Sequence, residues 1–303
     1  MSAYLIAMAI SAGIYALLAL GVNLTWGMAG LVNLGLAGFF AVGGYTTALL
    51  TKSGIAIPLG IIAAALAAAA TGAVVALLTA RLRADYLAIV TLGFSESVRI
   101  AAANEIWLTN GSDGIAGIPG PWRGTLDPRQ FNLVFLGIVI AVLITTLLVM
   151  QRLALLPFGR VLRAIRDDED VAAVAGKHVL AFKVKAFAVG AAVLGMAGAL
   201  YAHQTSYVAP DIFAPLLTLN IILALVAGGI GNNYGAVLGA VLIVTLLEGT
   251  RFAAPFLPFL APAQLAAVRE LLVSVLLLVI LRVLPEGIIA ERLPKPAPAR
   301  QRR

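Results

Sequence analysis

From Ile55 to Ala80 the chain carries no charged side chain. A stretch of about 20 apolar residues, wound as a helix, crosses the ~30 Å of bilayer hydrocarbon. This one is not isolated. Long apolar blocks also occupy residues 3–26, 31–51, 86–108, 131–150 and 182–202, and shorter ones residues 216–227, 236–247 and 271–284. Backbone groups in lipid must find partners inside the protein, so only helices and closed barrels span it. Barrel strands alternate apolar and polar residues, and runs such as residues 61–70 do not. The chain as a whole is 61% hydrophobic and 12% charged, with a mean hydropathy of +1.02. Soluble domains sit near 45–50% and about 25%. The expectation is therefore an all-α polytopic membrane protein with about nine transmembrane helices (8–10), and a soluble enzyme is excluded. Residues 1–4 carry no charge, so the first block reads as a membrane helix rather than a cleaved signal.

Charge placement orients the blocks. Between the fifth and sixth lie Arg152, Arg160, Arg163, Arg166, Lys177, Lys183 and Lys185. The tail holds Arg282, Arg292, Lys295, Arg300, Arg302 and Arg303, and Arg81 and Arg83 follow the third block. Basic loops stay in the cytoplasm. Placing those three regions there leaves only Lys52, Arg123, Arg129, Arg251 and Arg269 on the far side, with Arg99 inside a block. The N-terminus is then outside and the C-terminus cytoplasmic, which an odd number of crossings satisfies. Residues 1–284 read as a single transmembrane domain with a cytoplasmic loop at 151–181. Residues 285–303 read as a basic, Pro-rich, disordered tail facing anionic lipid. Residues 103–130 read as an external loop.

The chemistry available is narrow. There is no Cys, and His178 and His203 are the only histidines, so neither thiolate sites nor a histidine metal cluster is expected. No cofactor, no metal and no catalytic nucleophile–base set is expected. Gly176-Lys177 is followed by His178 and lacks the earlier glycine of a phosphate loop, so ATP hydrolysis, if it drives this protein, belongs to a partner. The arginines lack interleaved aromatics, which argues against nucleic acid. Two Gly-rich segments, residues 27–44 and 228–239, admit two readings: close helix packing through small residues, or unwound backbone lining a cavity. Asn23, Asn33, Asn220 and Asn232 are either interhelical hydrogen-bonding groups or contacts for a polar solute on its path. Glu96 and Arg99, three apart, form either a local ion pair or part of an ion relay.

The loop at residues 156–184 is the most informative segment. Val161, Leu162 and Ile165 make a short apolar stripe beside Arg160, Arg163 and Arg166, which suits a brief amphipathic helix. Asp167–Asp170 then provide an acidic turn that caps a second helix at 171–175, and Gly176 stops it. Anionic lipid would repel four consecutive carboxylates, so a protein partner explains both signs of charge better.

Gly159-Arg160, Ala164 to Glu169, Ala172-Ala173 and Gly176, then Lys183 and Phe187, resemble the cytoplasmic coupling loop of branched-chain amino acid ABC transporter permeases. Asn33-Leu34-Gly35 with Gly43-Gly44-Tyr45 is similar to the early Gly-rich segment of that family. Asp85 to Phe94 is similar to the segment marking its LivM-type subunit. Asn110 to Ile115 resembles the loop that follows, and Val226 to Gly231 with Gly235 and Gly239 the late Gly-rich segment. The departures are Asn232-Asn233-Tyr234 and Ala236, where the family favours a small hydroxyl, an apolar residue and proline. The resemblance implies a permease subunit of an ATP-driven importer in a bacterial inner membrane. Its partners would be a sister permease, two ATP-binding-cassette ATPase subunits, an external solute-binding protein and membrane lipid. Carried onto this sequence, it places Gly159, Arg160, Ala164, Arg166, Asp167, Asp168, Glu169, Ala172 and Gly176 at the ATPase interface. The same machine acting on urea, short amides or sugars, or a stand-alone ion-coupled transporter, are the alternatives.

Overall fold

The computed structural model describes residues 2–79, 82, 84–253 and 262–291. Arg81, Arg83 and the basic residues beyond 291 lie outside these. Helix α1 (Ser2–Val22) continues into a π-helical turn, Asn23–Met28, and is followed by α2 (Leu36–Lys52), α3 (Ile57–Thr79), α4 (Ala84–Asn104) and the short α5 (Ile106–Thr109). A 3-10 turn and β1 (Ile115–Ala116) lead to α6 (Pro128–Leu155), α7 (Pro157–Asp167), α8 (Glu169–Val174) and α9 (Val179–Thr205). Then come β2 (Tyr207–Val208), a 3-10 turn at Pro210–Phe213, α10 (Pro215–Gly228), α11 (Asn233–Ala253) and α12 (Pro262–Val283). Among the described residues the regular structure is helical apart from the two-residue antiparallel pair β1–β2.

Five of these helices are long and apolar enough to cross a membrane: α1 with its π turn, α3, α4, α6 and α9. α10 has 14 residues and so reaches about 21 Å at 1.5 Å per residue, short of a full crossing. α1, α2 and α9 are the central helices. From Ala16 to Leu20 every side chain of α1 is fully buried, which is how a helix apolar on all sides behaves at the middle of a bundle. α3, α4 and α6 lie outside them and leave Leu66, Leu78, Ile89 and Leu148 exposed, as side chains facing lipid would be.

Small residues draw the central helices together. A Cβ on Gly43 would strike Gly195, one on Gly198 would strike Phe40, and one on Gly72 would strike Ala191. Two helices then approach at backbone distance, and dispersion contacts replace the missing hydrophobic drive in lipid. At one end of the bundle lie α7, α8, the end of α1 and the α10–α11 turn. At the other, the segment between α4 and α6 is ordered. Ile115 and Ala116 pair with Val208 and Tyr207. Arg123 stacks on Phe131 at 4.3 Å and donates to the carbonyls of His203 and Gln204 at the end of α9 and to the Ser206 hydroxyl. Partial burial lowers the Arg123 pKa below its ordinary value.

The element boundaries depart from the sequence reading at three places. The second apolar block yields helix only from Leu36, because Ala29–Gly35 is non-helical, with Gly30 at φ +69°. The break expected across residues 228–239 is confined to Gly229–Asn232, and Gly235 and Gly239 lie inside α11. Residues 285–291, expected to begin a free tail, fold back onto the end of α10 through Ile288 N–H to Ala227 O (3.0 Å) and Ile289 N–H to Gly228 O (2.9 Å).

Candidate functional site

The α7–α8 unit is built from its turns. Leu156 is extended and Pro157 opens α7, where a missing N–H costs nothing. A Cβ on Gly159 would lie 2.5 Å from the Ala154 carbonyl, so only glycine lets α7 fold back against the end of α6. α7 buries Gly159, Leu162 and Ile165 and leaves Arg160 and Ala164 on its open face. Asp168 caps α8 by accepting from Val171 N–H at 3.0 Å, and Gly176, at φ +76°, ends it. Glu169 pairs at 2.5 Å with Lys183, whose ammonium end is otherwise enclosed at the foot of α9. The two short helices are thereby pinned to the body rather than hung from it.

Several of the predicted interface residues face inward. Ala172 is 4% exposed and packs within this chain. Arg166 turns back into the protein, donating from Nη1 to the Gly27 carbonyl (2.5 Å) and to Glu291 (2.9 Å), and also pairing with Asp167 at 3.3 Å. Arg163 donates to Ala154 O. Arg160, Ala164, Asp167, Asp168, Glu169 and Gly176 are exposed. Beside them stand two apolar side chains that the sequence reading did not single out as surface groups, Val171 and Val174, the latter 90% exposed. Their exposure follows from α8 being only six residues long: one turn can bury one face, and Ala172 occupies it.

The four asparagines separate into two kinds. Asn23 is fully buried and fully used: its amide donates to Asn233 Oδ1 (2.9 Å) and its carbonyl accepts from Gly231 N–H (2.8 Å). Asn233 in turn donates to Gln151 at 3.2 Å. Asn232 caps α11 by accepting from the N–H groups of Tyr234 and Gly235, and donates to Ala290 O. These two hold the fold. Asn33 accepts from Gly35 N–H, but its Nδ2 is buried without a partner, and Asn220 Oδ1 is equally unpaired. So are the Tyr45 hydroxyl and the Thr218 hydroxyl, both buried. Tyr45 lies in the early Gly-rich segment and Thr218 in an apolar run, and no sequence signal marked either hydroxyl as unpartnered.

Glu96 and Arg99 close on each other, with Arg99 Nε 3.0–3.1 Å from both carboxylate oxygens and Nη2 at 2.5 Å. That geometry is the local ion pair. His203 is buried in the last turns of α9. Its Nδ1 donates to Pro119 O at 2.6 Å and its Nε2 lies 2.9 Å from the Thr47 hydroxyl.

The structure is a helical bundle with five helices long and apolar enough to cross a membrane, glycine contacts between its helices and a pinned pair of short helices at one end. Residues 4–281 match the family described as branched-chain amino acid transport system / permease component, and the chain belongs to that family. The high-affinity branched-chain amino acid transport system permease protein LivM of Escherichia coli is 36% identical over 259 residues, which is 78% of this chain and 61% of the relative. This chain thus spans about three fifths of that protein's length. The probable LivM protein of Methanocaldococcus jannaschii is 30% identical, covering 92% of this chain and 91% of the relative. The LivH permease protein of Escherichia coli is 26% identical, covering 91% of each. No solved structure matches.

Proposed function

We propose that this chain is the LivM-like permease subunit of an ATP-driven importer for branched-chain amino acids. It would form the path together with a LivH-like sister permease. One of the two ATPase subunits would sit against α7–α8 and a solute-binding protein against the β1–β2 end. The observation that carries the coupling role is the α7–α8 unit. It is rigid, anchored by Gly159, Arg166, Ala172 and the Lys183–Glu169 pair, and it offers Val171 and Val174 beside a rim of charge. An apolar centre with a polar rim is how specific protein contacts are arranged. Arg160, Asp167, Asp168 and Glu169 would set register, while Ala164 and Gly176 keep the surface low enough for close approach.

In this reading the N-terminus is outside, the α7 end is cytoplasmic, and nine helices cross, with α10 and α11 as a short pair. Residues 1–284 form one permease domain. Helix ends support it: the end of α1, the α10–α11 turn and residues 284–291 all gather beside α7. Asn33 and Asn220, with Tyr45 and Thr218, are the groups left open for a zwitterionic solute. Asn23 and Asn232 are already occupied.

The test is reconstitution of the four-component membrane complex in liposomes. Val174→Asp places a charge at the centre of the contact. It should leave the folded chain intact and lower solute-stimulated ATP hydrolysis and uptake at least tenfold. Wild-type activity in that variant removes α8 from the interface. Because the chain has no Cys, Ser112→Cys and Ala175→Cys, both at exposed positions, report sidedness directly. Labelling of both from the same side of intact cells overturns the orientation.

A further inference from the structure

The basic tail contains two acidic residues, Glu286 and Glu291, and the role of the second is left open by the sequence. Residues 284–291 reach it by a specific route. Ile288 and Ile289 donate to the carbonyls of Ala227 and Gly228, groups that the end of α10 would otherwise leave unpaired. Ala290 O accepts from the Asn232 side chain at 2.9 Å. Glycines admit this strap: Gly229 and Gly287 have φ of +117° and +81°, and a Cβ on Gly231 would lie 2.7 Å from the Glu291 carboxyl carbon. The strap ends with the Glu291 carboxylate 2.9 Å from Arg166 Nη1.

Arg166 is the last arginine of α7, and the same Nη1 also holds the Gly27 carbonyl in the π turn that ends α1. Gly30, a few residues on, packs against the Arg166 stem, where a Cβ would come within 2.8 Å of Cγ. Three segments thus meet at one guanidinium: α7, the end of α1, and the strap on the α10–α11 turn. The contact is partly buried, with the two side chains 22% and 19% exposed. It is also incompletely satisfied, because Glu291 Oε1 is buried with no partner. Cavities of about 380 Å³ and 320 Å³ adjoin it, and Glu291 lines both. A charge pair with one open lone-pair site and free space on two sides holds position without being locked.

We propose that Glu291 is a positioning residue for coupling: through Arg166 it ties α7 at once to the end of α1 and to the α10–α11 turn, so that displacement of α7 moves both. This rests on the reading of α7–α8 as the element that meets the ATPase. An arginine fork can serve two acceptors in fixed geometry, which a lysine cannot. Severing the tie lets α7 move while the membrane helices stay behind, so nucleotide is hydrolysed without solute crossing.

The experiment measures solute transported per ATP hydrolysed by the reconstituted complex, alongside its thermal unfolding. Glu291→Gln keeps the shape and an acceptor but removes the charge. It should assemble and lower that ratio about tenfold, while Glu291→Asp restores part of it. Arg166→Lys should lower the same ratio. The proposal is overturned if Glu291→Gln transports at the wild-type ratio. It is overturned equally if both variants fail to assemble, or if uptake and hydrolysis fall in step, which is what a merely structural contact gives. Failure of the underlying reading looks different: the wild-type complex would show no solute-stimulated hydrolysis, and Val174→Asp would change nothing.

Discussion

The two Gly-rich regions look alike in sequence and break the helices in different ways. In the first, between α1 and α2, glycine makes room for neighbours to reach non-helical backbone. A Cβ on Gly35 would lie 2.7 Å from Thr91 O, and Leu34 N–H is held by the Thr91 hydroxyl two turns into α4. Irregular backbone at that depth survives only because protein side chains satisfy it. In the second, glycine serves helix against helix. A Cβ on Gly239 would strike Ala224 O, and those on Gly228 and Gly235 would strike each other's backbone, so α10 and α11 pack as a hairpin. The regions then meet, through Asn23 on one side and Gly231 and Asn233 on the other. One region is supported by the side chain of Thr91; the other is packed stiffly, helix backbone against helix backbone.

The largest effect should come from the stiff member. Gly239→Val forces a branched side chain into the Ala224 backbone, and overpacking of this kind costs about 1–3 kcal/mol or more. Little folded protein should survive detergent extraction, as judged by size-exclusion chromatography. A normal yield would show that the hairpin tolerates separation. Next comes the junction: Asn23→Ala leaves Gly231 N–H and Asn233 Oδ1 without partners, at about 2 kcal/mol, whereas Asn33→Ala orphans one N–H and costs about 1 kcal/mol. Thermal unfolding should rank the two in that order, and the reverse order would mean the first region carries the load. The smallest effect is a control. Gly93 in α4 has nothing within 4 Å of an added Cβ, so Gly93→Ala should shift stability by less than about 1 kcal/mol.

The length and charge pattern of the apolar blocks made the helical class legible, because a long uncharged run has few other solutions. The α7–α8 turns were equally readable: Asp168 and Gly176 do locally what such residues do at helix ends, whatever surrounds them. Direction was not readable. Whether Arg166 faces a partner or Gly27, or Ala172 a partner or its own chain, depends on segments more than a hundred residues away in the first case and on how α8 docks in the second. The same holds for the asparagines. Asn23 and Asn33 are indistinguishable in sequence, and only the position of Gly231 makes one a strut and leaves the other open. The π turn at Asn23–Met28 had no signal, since its composition is that of ordinary helix.

At the far end, Arg123 rivets the segment before α6 to the last carbonyls of α9, and the β1–β2 pair fastens the same segment a second time. Arginine thus clamps the bundle at both rims, Arg123 here and Arg166 at the α7 end.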